Sequence, residues 1–218
     1  QSELKDLKIV EDKAKAKGFD GVEAAARIMK AYFFLRTTDL WGGIPFSEAL
    51  GGDTEGNLTP AYDTQQSIYS AIITELKACD ALLADADADQ LANGDPMFSG
   101  SADGWRKFCN SILLRMYMRM SGVDATTAQA GVEEVYTDGN YIASNADNAT
   151  LGVDGVKPYR NGLMETLETR TDQGSSRTMI DLLNGFNDPR IHIYAQDIDD
   201  DYGKGQYDGP DDVYVGQI

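Results

Sequence analysis

Between residues 104 and 120 the chain is apolar on almost every side of a helix. Trp105, Phe108, Cys109, Ile112, Leu113, Met116 and Met120 recur at three- and four-residue spacing, and Leu114, Tyr117 and Met118 fill most of the remaining circumference. A helix with so little polar surface has to be enclosed by other elements, so this segment belongs in the middle of a helical domain. Asp103 stands where an N-cap is expected. Arg115 and Arg119 lie four residues apart on one face and need carboxylate or carbonyl partners wherever they are buried.

Three further stretches carry the same period. Ser2 to Lys17 alternates lysine with acidic residues around Leu4, Leu7, Ile9 and Val10, which predicts a solvated amphipathic helix ending at Gly18. A helix from about Val22 to Thr38 has two apolar stripes, one through Val22, Met29 and Phe33 and one through Ala24, Ile28, Ala31 and Leu35. It stops at Trp41-Gly-Gly-Ile-Pro45, because two glycines and a proline cannot continue it. A glycine-rich loop over 47–62 precedes a helix capped by Asp63 or Thr64 and running to about Asp85, with Ile68, Ile72, Leu76, Cys79 and Leu83 as its stripe. A shorter helix is expected from Thr126 to Tyr136, ending at Asp138-Gly139, and another from about Ser176 to Leu183. Asn140 to Thr171 reads as irregular, and after the turn Phe186 to Arg190 the alternation of Ile191, Ile193 and Ala195 with His192 and Tyr194 predicts a short strand.

Long helices joined in antiparallel pairs with little strand signal describe a mainly α fold, a tetratricopeptide-like or α-solenoid-like array with long decorated loops. No fixed sequence period is present, so strict repeats are not predicted. The whole span 1–218 is expected to form a single helical domain. With Gln1 at its start and no leader segment, the chain reads as a fragment or a processed form. Cys79 and Cys109 both fall inside apolar helical stripes, which leaves two readings open: buried thiols or an interhelical disulfide.

The balance of 36 acidic against 19 basic residues gives a formal charge of −17. Such a surface repels phosphate backbones and excludes nucleic acid as a natural partner. No run reaches the roughly 18 apolar residues of a membrane helix. Catalytic constellations are equally scarce. His192 is the one histidine and sits in an alternating run, where a structural role is expected; no G-x-S-x-G elbow, P-loop or dinucleotide fingerprint occurs. Zinc sites of several Cys or His ligands are ruled out by count. A glycosidase would need two carboxylates held about 5 to 10 Å apart on a rigid cleft, whereas the acids here gather in loops where solvation explains them. Asp85, Asp87 and Asp89 alternate as in a calcium loop, but Gln90 and Pro96 replace the glycine and acid that an EF-hand requires. No cofactor is expected; a calcium ion bound by the loop aspartates Asp197, Asp199, Asp200, Asp201, Asp208, Asp211 and Asp212 is compatible with their oxygen ligands and supported by no motif.

Aromatic residues in loops are the more informative feature. Trp41 lies in a glycine-rich turn, and Tyr62, Tyr141, Tyr159, Tyr202, Tyr207 and Tyr214 are also outside the predicted helices. Rings with a polar tip make good platforms for amphipathic ligands such as sugars. The other reading of Trp41 is that it tucks back onto its own helix end.

Four segments, in order, resemble the SusD/RagB-like family of outer-membrane glycan-binding lipoproteins. They are Ala26-Arg-Ile-Met-Lys-Ala-Tyr-Phe-Phe34 with Asp39-Leu-Trp-Gly-Gly-Ile-Pro-Phe-Ser-Glu-Ala49, then the helix Ile68 to Leu83, then Phe98-Ser-Gly100 with Trp105-Arg-Lys-Phe-Cys-Asn-Ser-Ile-Leu-Leu-Arg-Met-Tyr-Met-Arg-Met-Ser121, the most specific of the four, and finally Met179-Ile-Asp-Leu-Leu183 with Asn187-Asp-Pro-Arg-Ile191. Cys109 in place of the usual alanine and Gly43 in place of a common aspartate are mild departures. The resemblance implies a lipid-anchored protein, truncated here at both ends, on the outer surface of Bacteroidetes-type cells. It would capture oligosaccharides without catalysis and deliver them to a SusC-like TonB-dependent barrel. A helical protein–protein interaction module without direct glycan binding is the alternative. Ligand contacts are expected at Asp39, Trp41, Tyr62, Tyr202 and Tyr207, chosen by residue chemistry, while Asn110, Arg115 and Arg119 are expected to fasten helices to loops.

Overall fold

The computed structural model describes residues 2–52, 56–86, 91, 94–152, 175–194, 196–197 and 214–215. The chain divides into two compact units, residues 1–151 and 152–218.

In the first unit, helix α1 (Ser2–Lys17) and helix α2 (Asp20–Trp41) are followed by a ribbon of two-residue strands, β1 (Ile44–Pro45) and β2 (Tyr62–Asp63). Helices α3 (Gln65–Ala84), α4 (Ala102–Met120) and α5 (Ala125–Asp138) complete it, with a 3-10 turn at Asn145–Asp147. Contacts between side chains give the directions. Asp39 meets Tyr69 while Arg27 meets Glu75, so α2 and α3 run antiparallel. Arg106 and Asn110 meet Asp80, and Cys109 meets Leu76, so α4 reverses again and runs parallel to α2. These are the tetratricopeptide-like antiparallel pairs expected from the periodicity.

The stripes read from the sequence form one core. Ile28, Leu35, Ile68, Ile72, Leu76, Leu83, Leu113 and Met116 are all fully buried, each contributing about 1.5 to 3 kcal/mol of transfer free energy. Tyr32 and Phe108 bring their ring centroids to 5.9 Å across α2 and α4. Three polar residues enter this core and each is answered: Glu23 by Arg27, Thr38 by the Gly42 carbonyl, Asn110 by Asp80. Among the described residues no buried side-chain polar atom lacks a partner, as desolvation costs require. Cys79 and Cys109 are buried free thiols, and the Cys109 thiol donates to the Leu76 carbonyl at 3.2 Å. The disulfide reading is therefore set aside.

Helix ends follow local chemistry. Thr64, not Asp63, caps α3, its hydroxyl accepting from the Ser67 N–H. Asp124 caps α5, and Gly139 closes it in the left-handed region with φ 74°. The cap expected at Asp103 belongs instead to Ser101, whose hydroxyl accepts from the Gly104 N–H at 3.1 Å; Asp103 lies within the first turn and pairs with Lys107.

The second unit contains α6 (Arg177–Gly185), capped by Ser176, a single helical turn α7 (Ile191–Tyr194), and strands β3 (Gln196–Asp197) and β4 (Tyr214–Val215), which pair antiparallel. The strand expected from Ile191 onward is thus a helical turn. Pro189, preset near helical φ, follows Asp188, whose carbonyl accepts the Ile191 N–H at 3.1 Å. That local start overrides an alternation only five residues long. Ile180, Leu183 and Ile191 form a small separate core.

Candidate functional site at the end of helix α2

The segment that stops α2 also builds the most exposed aromatic surface of the first unit. The Gly42 N–H bonds back to the Thr38 carbonyl at 2.8 Å, and Gly42 takes φ 74°, where a side chain would be strained. Gly43 allows the two strands to approach: a Cβ there would lie 2.9 Å from the Asp63 carbonyl oxygen. A side chain at this position would make the ribbon shift, in which Ile44 faces Asp63 and Pro45 faces Tyr62.

Three anchors hold the turn. Ile44 is buried, and the Phe46 ring packs edge-on against Phe34 at 4.9 Å. Asp63 accepts from the backbone N–H groups of Phe46 and Ser47 at 3.1 and 2.7 Å and from the Ser47 hydroxyl. The hydrogen bonds from Ser47 hold its carboxyl below the usual aspartate range. The Gln65 amide reaches the Thr38 carbonyl at 2.8 Å, tying α3 to the end of α2.

Of the residues chosen from the sequence, Asp39, Trp41 and Tyr62 all lie at this end. Trp41 is 77% exposed and Tyr62 76%. Trp41 does not fold back onto its helix end, and Tyr62 projects from the paired strand. Asp39 has a different environment: its side chain is 11% exposed, one oxygen receives the Tyr69 hydroxyl at 2.5 Å, and the other the Arg119 guanidinium. It braces the end of α2 against α3 and α4. Tyr202, Tyr207 and Tyr159 lie outside the described residues, as do Asp87, Asp89 and the aspartates from 199 onward. Among the described residues no group of three or more His, Cys, Asp or Glu is placed to share a metal ion.

Sequence reasoning missed two exposed aliphatic residues that lie close to the Trp41 and Tyr62 rings in the chain. Leu40 and Leu58 are 72% and 84% exposed, and neither stands out in a pattern where apolar residues are read as core. It also missed that Tyr136, assigned to a helix end, stacks on Tyr141 at 5.8 Å. The signal was available: Gly139 reverses the chain between them.

The two exposed rings stand on either side of a pinned turn, and an exposed ring is a surface on which a flat, partly apolar ligand can stack. The family of outer-membrane-associated starch-binding proteins known as SusD-like matches residues 1–217 of the chain. The chain belongs to the SusD-like family. Among solved structures, a SusD homolog from Bacteroides uniformis shares 28% identity with a TM-score of 0.77, covering 98% of this chain and 42% of that one. A SusD homolog from Bacteroides fragilis shares 26% at a TM-score of 0.74, covering 90% of this chain and 42% of that one. A chitin-binding SusD homolog from Flavobacterium johnsoniae shares 26% at a TM-score of 0.72, covering 87% and 39%. The SusD-like chain thus spans about two fifths of the length of these structures. No curated protein matches it. The most specific of the family-like segments, Trp105 to Ser121, falls on helix α4, where Trp105, Cys109, Ile112, Leu113 and Met116 serve the core while Met118 is exposed.

Proposed function

We propose that this chain is the helical part of a cell-surface, outer-membrane protein that captures oligosaccharides without hydrolysing them and hands them to a SusC-like TonB-dependent barrel. The observation that carries this reading is the pair of exposed rings, Trp41 at the end of α2 and Tyr62 on the ribbon that follows it. A pyranose offers an apolar C–H face to such a ring and hydroxyls at its edge, and stacking of this kind is worth about 1 kcal/mol per ring. The family description and the chitin-binding homolog support a glycan as ligand. Asp39 serves this surface indirectly, by fixing the helix end beneath it. Tyr202 and Tyr207 remain proposed contacts on chemistry alone.

Calorimetric titration with starch- and chitin-derived oligosaccharides tests the proposal. Wild-type binding is expected in the range of about micromolar to millimolar, with Trp41→Ala weaker by about fivefold for a loss of about 1 kcal/mol. Equal affinity in the variant would remove Trp41 from the site, and enzyme-dependent release of reducing ends would overturn the non-catalytic reading.

A further inference from the structure

The parallel run of α2 and α4 leaves a seam between them that gathers arginines in an acidic chain. Tyr32 meets Phe108 at one level and Asp39 meets Arg119 about two turns further along α2 and three along α4. Arg36 lies between Tyr32 and Asp39 on the same face of α2, at helical offsets of four and three; Arg115 occupies the matching place on α4. Both side chains are exposed, and neither has a hydrogen-bond or ion-pair partner among the described residues. The one carboxylate at the seam, Asp39, is already taken by Tyr69 and Arg119. Three guanidiniums against one carboxylate leave a local excess of positive charge in a chain of net charge −17. Beside them stand aliphatic and aromatic side chains in water: Leu40 is 72%, Met118 61% and Phe33 37% exposed.

We infer that the α2–α4 seam is a docking surface for a protein partner that presents an acidic segment with apolar residues. Guanidinium forks match planar carboxylates in two-point hydrogen bonds, which ammonium groups cannot do. The mixture of arginine, methionine and aromatic side chains with little lysine or glutamate is the composition of protein interface cores. Leu40 and Met118 favour a protein over an acidic sugar, because branched or flexible aliphatic chains give a pyranose no flat face to stack on. The surface borders the Trp41 and Tyr62 rings through Leu40, and the inference does not depend on what binds to those rings.

The test uses the 218-residue chain and a short fluorescein-labelled peptide combining glutamates with leucine and phenylalanine, read by anisotropy. Expected is binding that weakens as salt rises, with at least about tenfold lower affinity for the double variant Arg36→Gln/Arg115→Gln and for the same peptide carrying glutamine in place of glutamate. Arg36→Lys/Arg115→Lys is expected to fall between, keeping charge while losing the fork. Should a variant fail to fold by circular dichroism, hydrogen exchange on the wild-type chain decides: the peptide must slow exchange in 33–40 and 115–119. Equal binding of the glutamine peptide, or unchanged affinity in the double variant, overturns the inference. So does arginine-dependent binding of an oligogalacturonate in place of the peptide, which would make the seam a sugar site.

Discussion

The carboxylate of Asp39 receives the Tyr69 hydroxyl and the Arg119 guanidinium, so one side chain joins three helices. Asp39→Asn keeps the shape and removes the charge; it is expected to lower unfolding free energy by about 1 to 2 kcal/mol in urea titrations. A double-mutant cycle with Arg119→Met should show a coupling of about 0.5 to 1 kcal/mol, since Arg119 is 43% exposed and its pair partly screened. Glu75 supports a second prediction, about pH. The Arg27 guanidinium donates to both its oxygens, at 2.8 and 2.9 Å, and holds its carboxyl below the usual range against an opposing push from burial. A depressed folded-state value means the stabilisation is complete above the unfolded value of about 4.3 and lost as pH falls through the folded one. Glu75→Gln should therefore be less stable than wild type by about 2 kcal/mol near neutrality, with the gap closing below about pH 4. Urea midpoints measured from neutral to acid pH check this.

Single caps separate what the sequence shows from what the fold decides. Ser101→Ala is expected to cost about 1 kcal/mol, and Asp103→Ala only about 0.3 to 0.5 kcal/mol, the worth of a first-turn charge with an i,i+4 partner. Thermal melts of the two variants distinguish the cap from its neighbour. Both residues are plausible from sequence spacing alone, because boundaries depend on which hydroxyl or carboxylate meets the first free N–H groups. The long helices were legible for the opposite reason: a stripe such as Ile68, Ile72, Leu76, Cys79 and Leu83 repeats its signal five times, and all five are buried. The β1–β2 ribbon was not legible, because strands of two residues show no alternation and their partners are 17 or more positions apart. The candidate site was half legible. Trp41 and Tyr62 stand out by residue type, and both are exposed, but the burial of Asp39 behind Tyr69 and the exposure of Leu40 are consequences of packing that no local pattern encodes.

For the molecule as a whole, the buried thiols provide a probe of opening. Burial pushes the Cys79 thiol up to about 12 and raises that of Cys109 well above its ordinary range, so neither presents a thiolate or an accessible sulfur near pH 8. Labelling with an aromatic disulfide reagent at that pH should be negligible in the native state, and the slow rate that remains should rise in step with unfolding when denaturant is added. Fast labelling of either cysteine in native buffer would contradict the core described above.

The same packing has a kinetic consequence. Along the first unit each helix rests chiefly on the next one in the chain, α1 on α2 through to α4 on α5. Contacts of short sequence separation close small loops, whose entropy is quickly recovered. Such a chain can assemble by accretion from the α2–α3–α4 centre outward, and it has little need of a late, long-range closure. α1, in which Ala14 is the one buried hydrophobic among the described residues, is where reversible fraying should begin, leaving the ribbon and the rings of Trp41 and Tyr62 in place.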